Sequence, residues 1–180
     1  MRKVTYCAAT TFDGFIARED GVVDWINMDE EVRREAMAEL GKFFESIDTI
    51  LMGRKTYEAA LGFEPDPYPP GKKRYVFSHT LKEVQDPNAK IVCENAGEFI
   101  RSLKNEDGKG IWLAGGSNLA KTLFDEDLID EIRLGVHPVL LGSGIRLIPD
   151  IKHQVNLELA DFKAYKGGVF AISYRVKRSV

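Results

Sequence analysis

Ile111-Trp112-Leu113-Ala114-Gly115-Gly116-Ser117-Asn118-Leu119-Ala120-Lys121-Thr122-Leu123 carries an apolar run through a glycine pair directly into a helical pattern. A buried strand that turns through glycines into a helix gathers free backbone N–H groups and the positive helix end at one point, where a phosphate can sit. Glycine at both positions allows a close backbone approach that side chains would block. The same pattern also suits a tight strand-to-helix turn with no ligand. The rest of the chain has to decide between the two.

Two further strand ends favour the ligand. Thr49-Ile50-Leu51-Met52 runs into Gly53-Arg54-Lys55-Thr56-Tyr57, which opens another helix and places a guanidinium and a hydroxyl beside it. Arg74-Tyr75-Val76-Phe77 ends in Ser78-His79-Thr80, again small donors at a strand end. Ligands of open α/β sheets bind outside the carboxyl ends of the strands, where all three clusters fall. Several such junctions on one sheet suit a dinucleotide better than a lone phosphate.

Composition narrows the class. A chain of 180 residues that is 44% hydrophobic is expected to form one domain over 1–180, burying roughly 70% of the surface its unfolded chain exposes. Cys7 and Cys93 are far apart and form no CxxC pair, so both are predicted to be reduced and inside strands, as suits a cytoplasmic protein. A net charge of −3 leaves no basic footprint for nucleic acid. Thr5, Thr10, Thr11 and Asp13-Gly14 interrupt the first apolar stretch too soon for a signal peptide or a membrane span. His79, His137 and His153 have no metal-ligand spacing, so no metal is expected.

Along the chain, Val4 to Thr10 reads as a strand buried on both faces. A loop with turns at Asp13-Gly14 and Asp20-Gly21 follows. Asn27 with Glu30 predicts a capped helix whose apolar stripe is Val32, Ala36, Leu40, Phe43 and Ile47, ending near Ser46. Asp48 to Met52 is the next strand, and proline-rich Gly62 to Lys73 a long irregular connection. Strands are expected at Val76 and at Ile91-Val92-Cys93, then a helix capped by Asn95 with Glu98. Ile132, Leu134 and Val136 alternate as a half-buried strand. Pro138 to Gly144 reads as an edge or dimer-contact loop, and Asn156–Tyr165 with Val169–Val176 as a hairpin. The sum is an α/β fold: a mostly parallel central sheet flanked by helices, with a C-terminal antiparallel hairpin.

Taken in order, these elements resemble the dihydrofolate reductase fold, in particular the branch holding the C-terminal reductase domain of bifunctional riboflavin-biosynthesis proteins. The resemblance rests on Asp13-Gly14-Phe15-Ile16, Gly53-Arg54-Lys55-Thr56-Tyr57, Ala114-Gly115-Gly116-Ser117-Asn118-Leu119 and Pro138-Val139-Leu140-Leu141-Gly142, and it spans nearly the whole chain. It implies NADPH as cofactor. The implied binding residues are Gly53, Arg54, Lys55, Thr56, Ser78 and His79 for the adenosine phosphates and Ala114, Gly115, Gly116, Ser117, Asn118 and Leu119 for the pyrophosphate. Ala9 and Ile16 are implied beside the nicotinamide. Arg54 can neutralise a 2′-phosphate, which favours NADP over NAD; it also stands at i, i+4 spacing from Glu58.

The resemblance further implies a loop-ending tryptophan, Trp25, and a proton-handling carboxylate at Glu30 or Asp29. A carboxyl buried against Trp25 is expected to have a raised pKa. The substrate is expected to be a small heterocycle, a pteridine or pyrimidinone, and the protein a homodimer. Lys72 stands where folate enzymes carry an arginine for the substrate's tail, and Leu113-Ala114 where riboflavin-type reductases carry an acid. The zinc-binding deaminase partner domain is absent from this sequence. These departures mean that the substrate need be neither of the familiar two; the alternative to a reductase is a nucleotide-binding protein without turnover.

Overall fold

The structure is a computed structural model and describes residues 1–178. Ten strands and four α-helices follow in the order β1 (Val4–Thr11), β2 (Phe15–Ala17), α1 (Glu30–Glu45), β3 (Ile47–Gly53), α2 (Arg54–Ala60), β4 (Lys73–Phe77), β5 (Ala89–Val92), α3 (Ala96–Asn105), β6 (Gly110–Gly115), α4 (Ser117–Asp125), β7 (Glu131–His137), β8 (Ile145–Arg146), β9 (Asn156–Ala164) and β10 (Phe170–Lys177). Eight strands form one sheet in the order β5-β4-β3-β6-β1-β7-β10-β9, and β2 pairs with β8 in a small second sheet. Every pairing from β5 to β7 is parallel. β10 runs antiparallel to both β7 and β9, which makes the expected hairpin.

Alternation along the parallel strands builds a core on each face. Val4 and Tyr6 of β1, Leu51 of β3 and Ile111 and Leu113 of β6 pack with Ile100 and Leu103 of α3 and Leu119, Leu123 and Phe124 of α4. Cys7, Ile50, Met52 and Trp112 point the other way, to Phe43 of α1 and Tyr57 of α2. Two-sided burial is why these strands read as nearly continuous apolar runs. Trp112 fixes the second core: its ring meets Phe43, Phe44 and Tyr68, and its indole N–H donates to the Cys7 carbonyl at 2.9 Å.

Three local expectations are corrected. Asn27 does not cap α1: the cap position is Asp29, and its side chain makes no capping bond. Ile47 begins β3 and does not extend the stripe of α1, because the chain turns at Ser46, whose hydroxyl donates to the Phe43 carbonyl at 2.7 Å. Cys93 lies beyond β5 and is exposed, its thiol donating to the Ser78 carbonyl at 3.2 Å, whereas Cys7 is buried within β1 as expected. The Asn95 cap is present, its side chain accepting from the Glu98 N–H.

The Pro138–Gly144 segment is bound within the fold and forms no sheet edge. Phe12 N–H donates to the Val139 carbonyl at 2.9 Å, and Gly142 N–H to Asp13 Oδ2 at 2.7 Å. Thr11 Oγ1 closes the other side of this clamp, donating to Asp13 Oδ1 at 2.6 Å and accepting from Phe15 N–H at 3.0 Å. The Asp13-Gly14 turn therefore ties the end of β1 to the β7–β8 connection.

Candidate dinucleotide cleft

Chain direction locates the cleft. From the carboxyl end of β3 the chain leaves through α2 towards β4 on one side; from the neighbouring β6 it leaves through α4 towards β7 on the other. Tyr57 places α2 on one face of the sheet and Leu119 with Leu123 places α4 on the opposite face. Adjacent strands whose connections diverge open a crevice between their ends, the switch point where ligands of such sheets bind. Gly53 and the Gly115-Gly116 pair are the residues at that point.

They touch. A Cβ on Gly116 would lie 3.1 Å from the Gly53 backbone nitrogen and 3.2 Å from its Cα, and Gly116 has φ +99°. A Cβ on Gly115 would lie 3.2 Å from Thr56 Oγ1. The glycine pair is thus required by backbone packing between two strand ends, and a side chain there would meet protein before any ligand. Close backbone packing is one reason for the glycines, beside any room they leave for a ligand.

The donors expected there are in place, though not all through their side chains. The first bond of α4 is Ala120 N–H to the Gly116 carbonyl at 2.9 Å, so the N–H groups of Ser117, Asn118 and Leu119 lead the helix with no intrahelical partner. The Leu119 side chain is core, and Ala114 packs against the α1–α2 side; each can serve only through its backbone. The Ser117 hydroxyl donates to the Arg146 carbonyl at 2.7 Å and pins α4 to β8. Asn118 is exposed.

On the other side of the crevice, Gly53 pairs in register with Phe77, which sets Ser78 beside the start of α2. Ser78 Oγ accepts from Leu81 N–H at 2.9 Å and from Thr80 N–H at 3.1 Å and lies 3.5 Å from Thr80 Oγ1. His79 and Lys55 are exposed, and Thr56 half-buried. Arg54 makes two bonds to Glu58, Nη1 to Oε1 at 2.8 Å and to Oε2 at 3.0 Å, on the surface. An exposed i, i+4 pair contributes about 0.3–0.5 kcal/mol, whereas a hydrogen bond to a charged ligand contributes about 1.5–3. A phosphate would therefore win Arg54 from Glu58. The neighbouring ends of β4, β3, β6 and β1 form a row of about 14 Å at the usual strand spacing, the scale of an extended dinucleotide. The residues present fit one.

The residues expected around the nicotinamide and substrate lie across β1. Cys7 faces α1, so alternation puts Ala9 on that face too, while Ile16 packs at the margin of the α3–α4 core. Trp25 is 6% exposed and stands edge-on to His137, ring centroids 5.3 Å apart. The expected burial of a carboxylate against Trp25 is not found: Asp29 and Glu30 are both exposed. Asp29 lines a cavity of about 110 Å³ with Val32, Lys166 and Val169, and Glu30 stands in the first turn of α1. Lys72 is committed to structure, its ammonium donating to the Ile47 carbonyl at 2.8 Å.

Two residues of this region escaped the sequence reading. His137 is 3% exposed with Nδ1 unpartnered, and the neighbouring Trp25 Nε1 is likewise buried without a partner. Burial holds the His137 imidazole below its usual pKa. Arg133 lies on the same face of β7 as His137, its guanidinium 5.5 Å from the centre of the Phe43 ring. The signal was the second face of the Ile132-Leu134-Val136 alternation, where Arg133, Gly135 and His137 form a polar-small-polar series.

A mostly parallel sheet with this strand order, a switch-point cleft between β3 and β6 and an antiparallel C-terminal hairpin define a dihydrofolate reductase-like α/β protein. The chain belongs to the RibD C-terminal domain family, whose sequence pattern matches residues 2–171. It is similar to the uncharacterized protein YyaP of Bacillus subtilis (strain 168), 36% identical over 185 residues that cover 97% of this chain and 95% of the relative. Among solved structures it is similar to a putative riboflavin biosynthesis protein from Shewanella sp. PV-4, 25% identical with a TM-score of 0.81, covering 99% of this chain and 100% of that one. The fold is shared with dihydrofolate reductase from Enterococcus faecalis complexed with NADP(H), 16% identical with a TM-score of 0.67 over 98% of this chain and 97% of that one.

Proposed function

We propose that the protein is an NADPH-dependent reductase of a small heterocyclic substrate, a pteridine or pyrimidinone. The observation that carries this reading is the contact of Gly53 with Gly116 at the switch point, with Arg54, Ser78 and the leading N–H groups of α4 arranged around it. In this reading Ser117, Asn118 and Leu119 donate backbone N–H groups to the pyrophosphate. Arg54, with Ser78, Thr56, Lys55 and His79 nearby, holds the 2′-phosphate, and Ala9 and Ile16 flank the nicotinamide. NADPH, when bound, supplies the hydride. The protein orients the acceptor over the α1 side of β1, excludes water with Trp25, and delivers a proton from Asp29 or Glu30 or from water they hold.

Both carboxylates are exposed, and this favours a second reading in which the cleft binds the nucleotide without turnover. Steady oxidation of NADPH in the presence of a panel of pteridines and pyrimidinones separates them. Turnover with any member supports the reductase, and NADPH binding without turnover across the panel supports the alternative.

The protein is further read as a homodimer. β9 is the edge of the large sheet, and its Leu157, Leu159 and Phe162 are exposed. An unpaired apolar edge strand is a liability that pairing with a second copy removes. Light scattering at micromolar concentration distinguishes dimer from monomer.

A further inference from the structure

Away from the cleft, a cavity of about 310 Å³ opens between α2, the chain 61–72 that follows it, the start of β4 and the β4–β5 connection. That volume stands at the lower end of the range for ligand pockets. No residue of β1, α1 or β7 lines it, so it is separate from the residues expected around the substrate. Tyr57 and Tyr68 give it an aromatic wall, and Leu61 and Phe63, each 47% exposed, line it as well. Burial pushes the Tyr68 hydroxyl up to about 12, so this wall adds no charge at neutral pH. Tyr57 Oη accepts from Gln85 N–H at 2.8 Å and ties α2 to the β4–β5 connection across the cavity.

The charged wall is left incomplete. The Arg74 side chain is 9% exposed; its Nη2 donates to Asp66 Oδ2 at 2.7 Å, and its Nη1 stands 2.9 Å from Asp86 Oδ2. Its guanidinium carbon lies 5.3 Å from the centre of the Tyr68 ring. Arg74 Nε, however, is buried without a partner. Asp86 Oδ2 is buried too, and its approach to Nη1 is not aligned as a hydrogen bond. The other oxygens of the two carboxylates have donors: Asp66 Oδ1 accepts from Tyr68 N–H at 3.0 Å, and Asp86 Oδ1 from Asn88 N–H at 2.8 Å. Two residues lining one cavity thus each hold a buried polar atom in want of a partner, one a donor and the other an acceptor. Such atoms are costly unless something in the cavity meets them.

Their chemistry defines the ligand. Arg74 Nε–H requires an acceptor, and Asp86 Oδ2 requires a donor. One guanidinium and two carboxylates leave the wall net negative, which disfavours an anion. A cation would bring no acceptor for Nε. An amide edge offers an acceptor and a donor side by side without charge, and the tyrosine wall suits a flat ring.

We propose that this cavity is a second ligand site, which takes a neutral amide on an aromatic ring, its carbonyl oxygen accepting from Arg74 Nε and its N–H donating to Asp86 Oδ2. The proposal goes beyond the reductase reading and does not rest on it. Open carboxamides and ring lactams share this edge.

The test uses benzamide, benzoate and benzamidinium, which have one shape and three different edges, and isoquinolinone, which fixes the amide edge in a ring. Each is titrated into the isotope-labelled full chain without cofactor and followed by its backbone N–H resonances. At least one amide probe is expected to bind about tenfold or more tightly than benzoate and benzamidinium, the scale of one hydrogen bond to a charged group. The shifts are expected to centre on Leu61, Phe63, Gln85 and Asp86. The tighter of the two amide probes tells carboxamide from lactam. Arg74→Lys keeps a cation for Asp66 and Asp86 but has no Nε–H, and is expected to weaken the amide probes about tenfold. Ala60 lines the cavity from the end of α2, and Ala60→Phe is expected to fill the space and abolish binding. Circular dichroism shows whether each variant is folded, and Ala60→Phe decides alone should Arg74→Lys unfold.

No binding of either amide probe, affinity for a charged probe equal to that for the amides, shifts centred on the cleft at Gly53 or Gly116, or binding that survives the folded variants unchanged overturns the proposal. None of these measurements involves NADPH, so the reductase reading stands or falls separately.

Discussion

Gly116 and Gly53, sixty-three positions apart in the chain, pack backbone against backbone, so that a Cβ on Gly116 would stand 3.1 Å from the Gly53 nitrogen. The contact joins the carboxyl ends of β3 and β6 and sets the width of the cleft between α2 and α4. With φ +99° at Gly116, an L-residue pays about 1–2 kcal/mol in backbone strain before any contact is counted. Gly116→Ala is therefore expected to lower Tm by roughly 2–8 °C for a chain of this size, read by circular dichroism on heating. An unchanged Tm would mean that the two strand ends can move apart freely.

Arg54 and Glu58 give a paired test. Arg54→Ala is expected to weaken NADPH by on the order of 1.5–3 kcal/mol, about ten- to a hundredfold, while leaving NADH nearly unchanged. Glu58→Gln removes only the competing surface pair and is expected to tighten NADPH by about twofold. Fluorescence titration of each variant checks both. Equal losses for the two cofactors in Arg54→Ala would place the arginine away from the 2′-phosphate.

Cys93 reports on the same end of the cleft. Its exposed thiol donates to the Ser78 carbonyl, whereas Cys7 is buried and held in the unreactive thiol form, pushed up to about 12. A disulfide-exchange reagent is expected to label one thiol rapidly in the native protein and two after unfolding. Saturating NADPH is expected to slow that labelling. Labelling at the same rate with and without NADPH would count against the placement of its adenosine end at Ser78.

Stability is expected to fall on acidification in two stages. Burial depresses the folded-state pKa of His137, so as pH drops below about 6.5 the unfolded chain takes up a proton that the folded chain refuses, and stability is lost. Asp13 is also depressed, first by its hydrogen bond with Thr11. Its contribution is complete above the ordinary carboxylate range and disappears as pH falls through the folded value, when the clamp on Gly142 opens. Tm of the wild type should drop between pH 7.5 and pH 5.5, and His137→Gln should flatten that drop. A drop of the same size in both proteins would assign it to other groups.

The parallel core was legible in the chain because strands buried on both faces write uninterrupted apolar runs, as at Ile111 to Ala114 and Ile50 to Met52. The glycine junctions were legible as places of close approach, but not what approaches: the partner of Gly116 is Gly53, a contact made by sheet order. β2 and β8 were not visible, since three residues and two are too few to show a period. Cys93 read as strand because it continues the apolar run Ile91-Val92, yet the chain bends there for its thiol to reach the Ser78 carbonyl. Arg133 and His137 were hidden by the opposite face of their own strand, whose buried Ile132 and Val136 supplied the pattern. Which of the two faces of β7 is left open depends on where α1 lies, and no local signal records that.

The proposed cofactor is tested most directly by equilibrium dissociation constants of the unmodified protein for NADPH and NADH, measured side by side at the same ionic strength. NADPH is expected to bind at least about tenfold more tightly, the contribution of one charged hydrogen bond between Arg54 and the 2′-phosphate. Equal affinity for the two, or no binding of either, would contradict the reading of the Gly53–Gly116 cleft as an NADPH site.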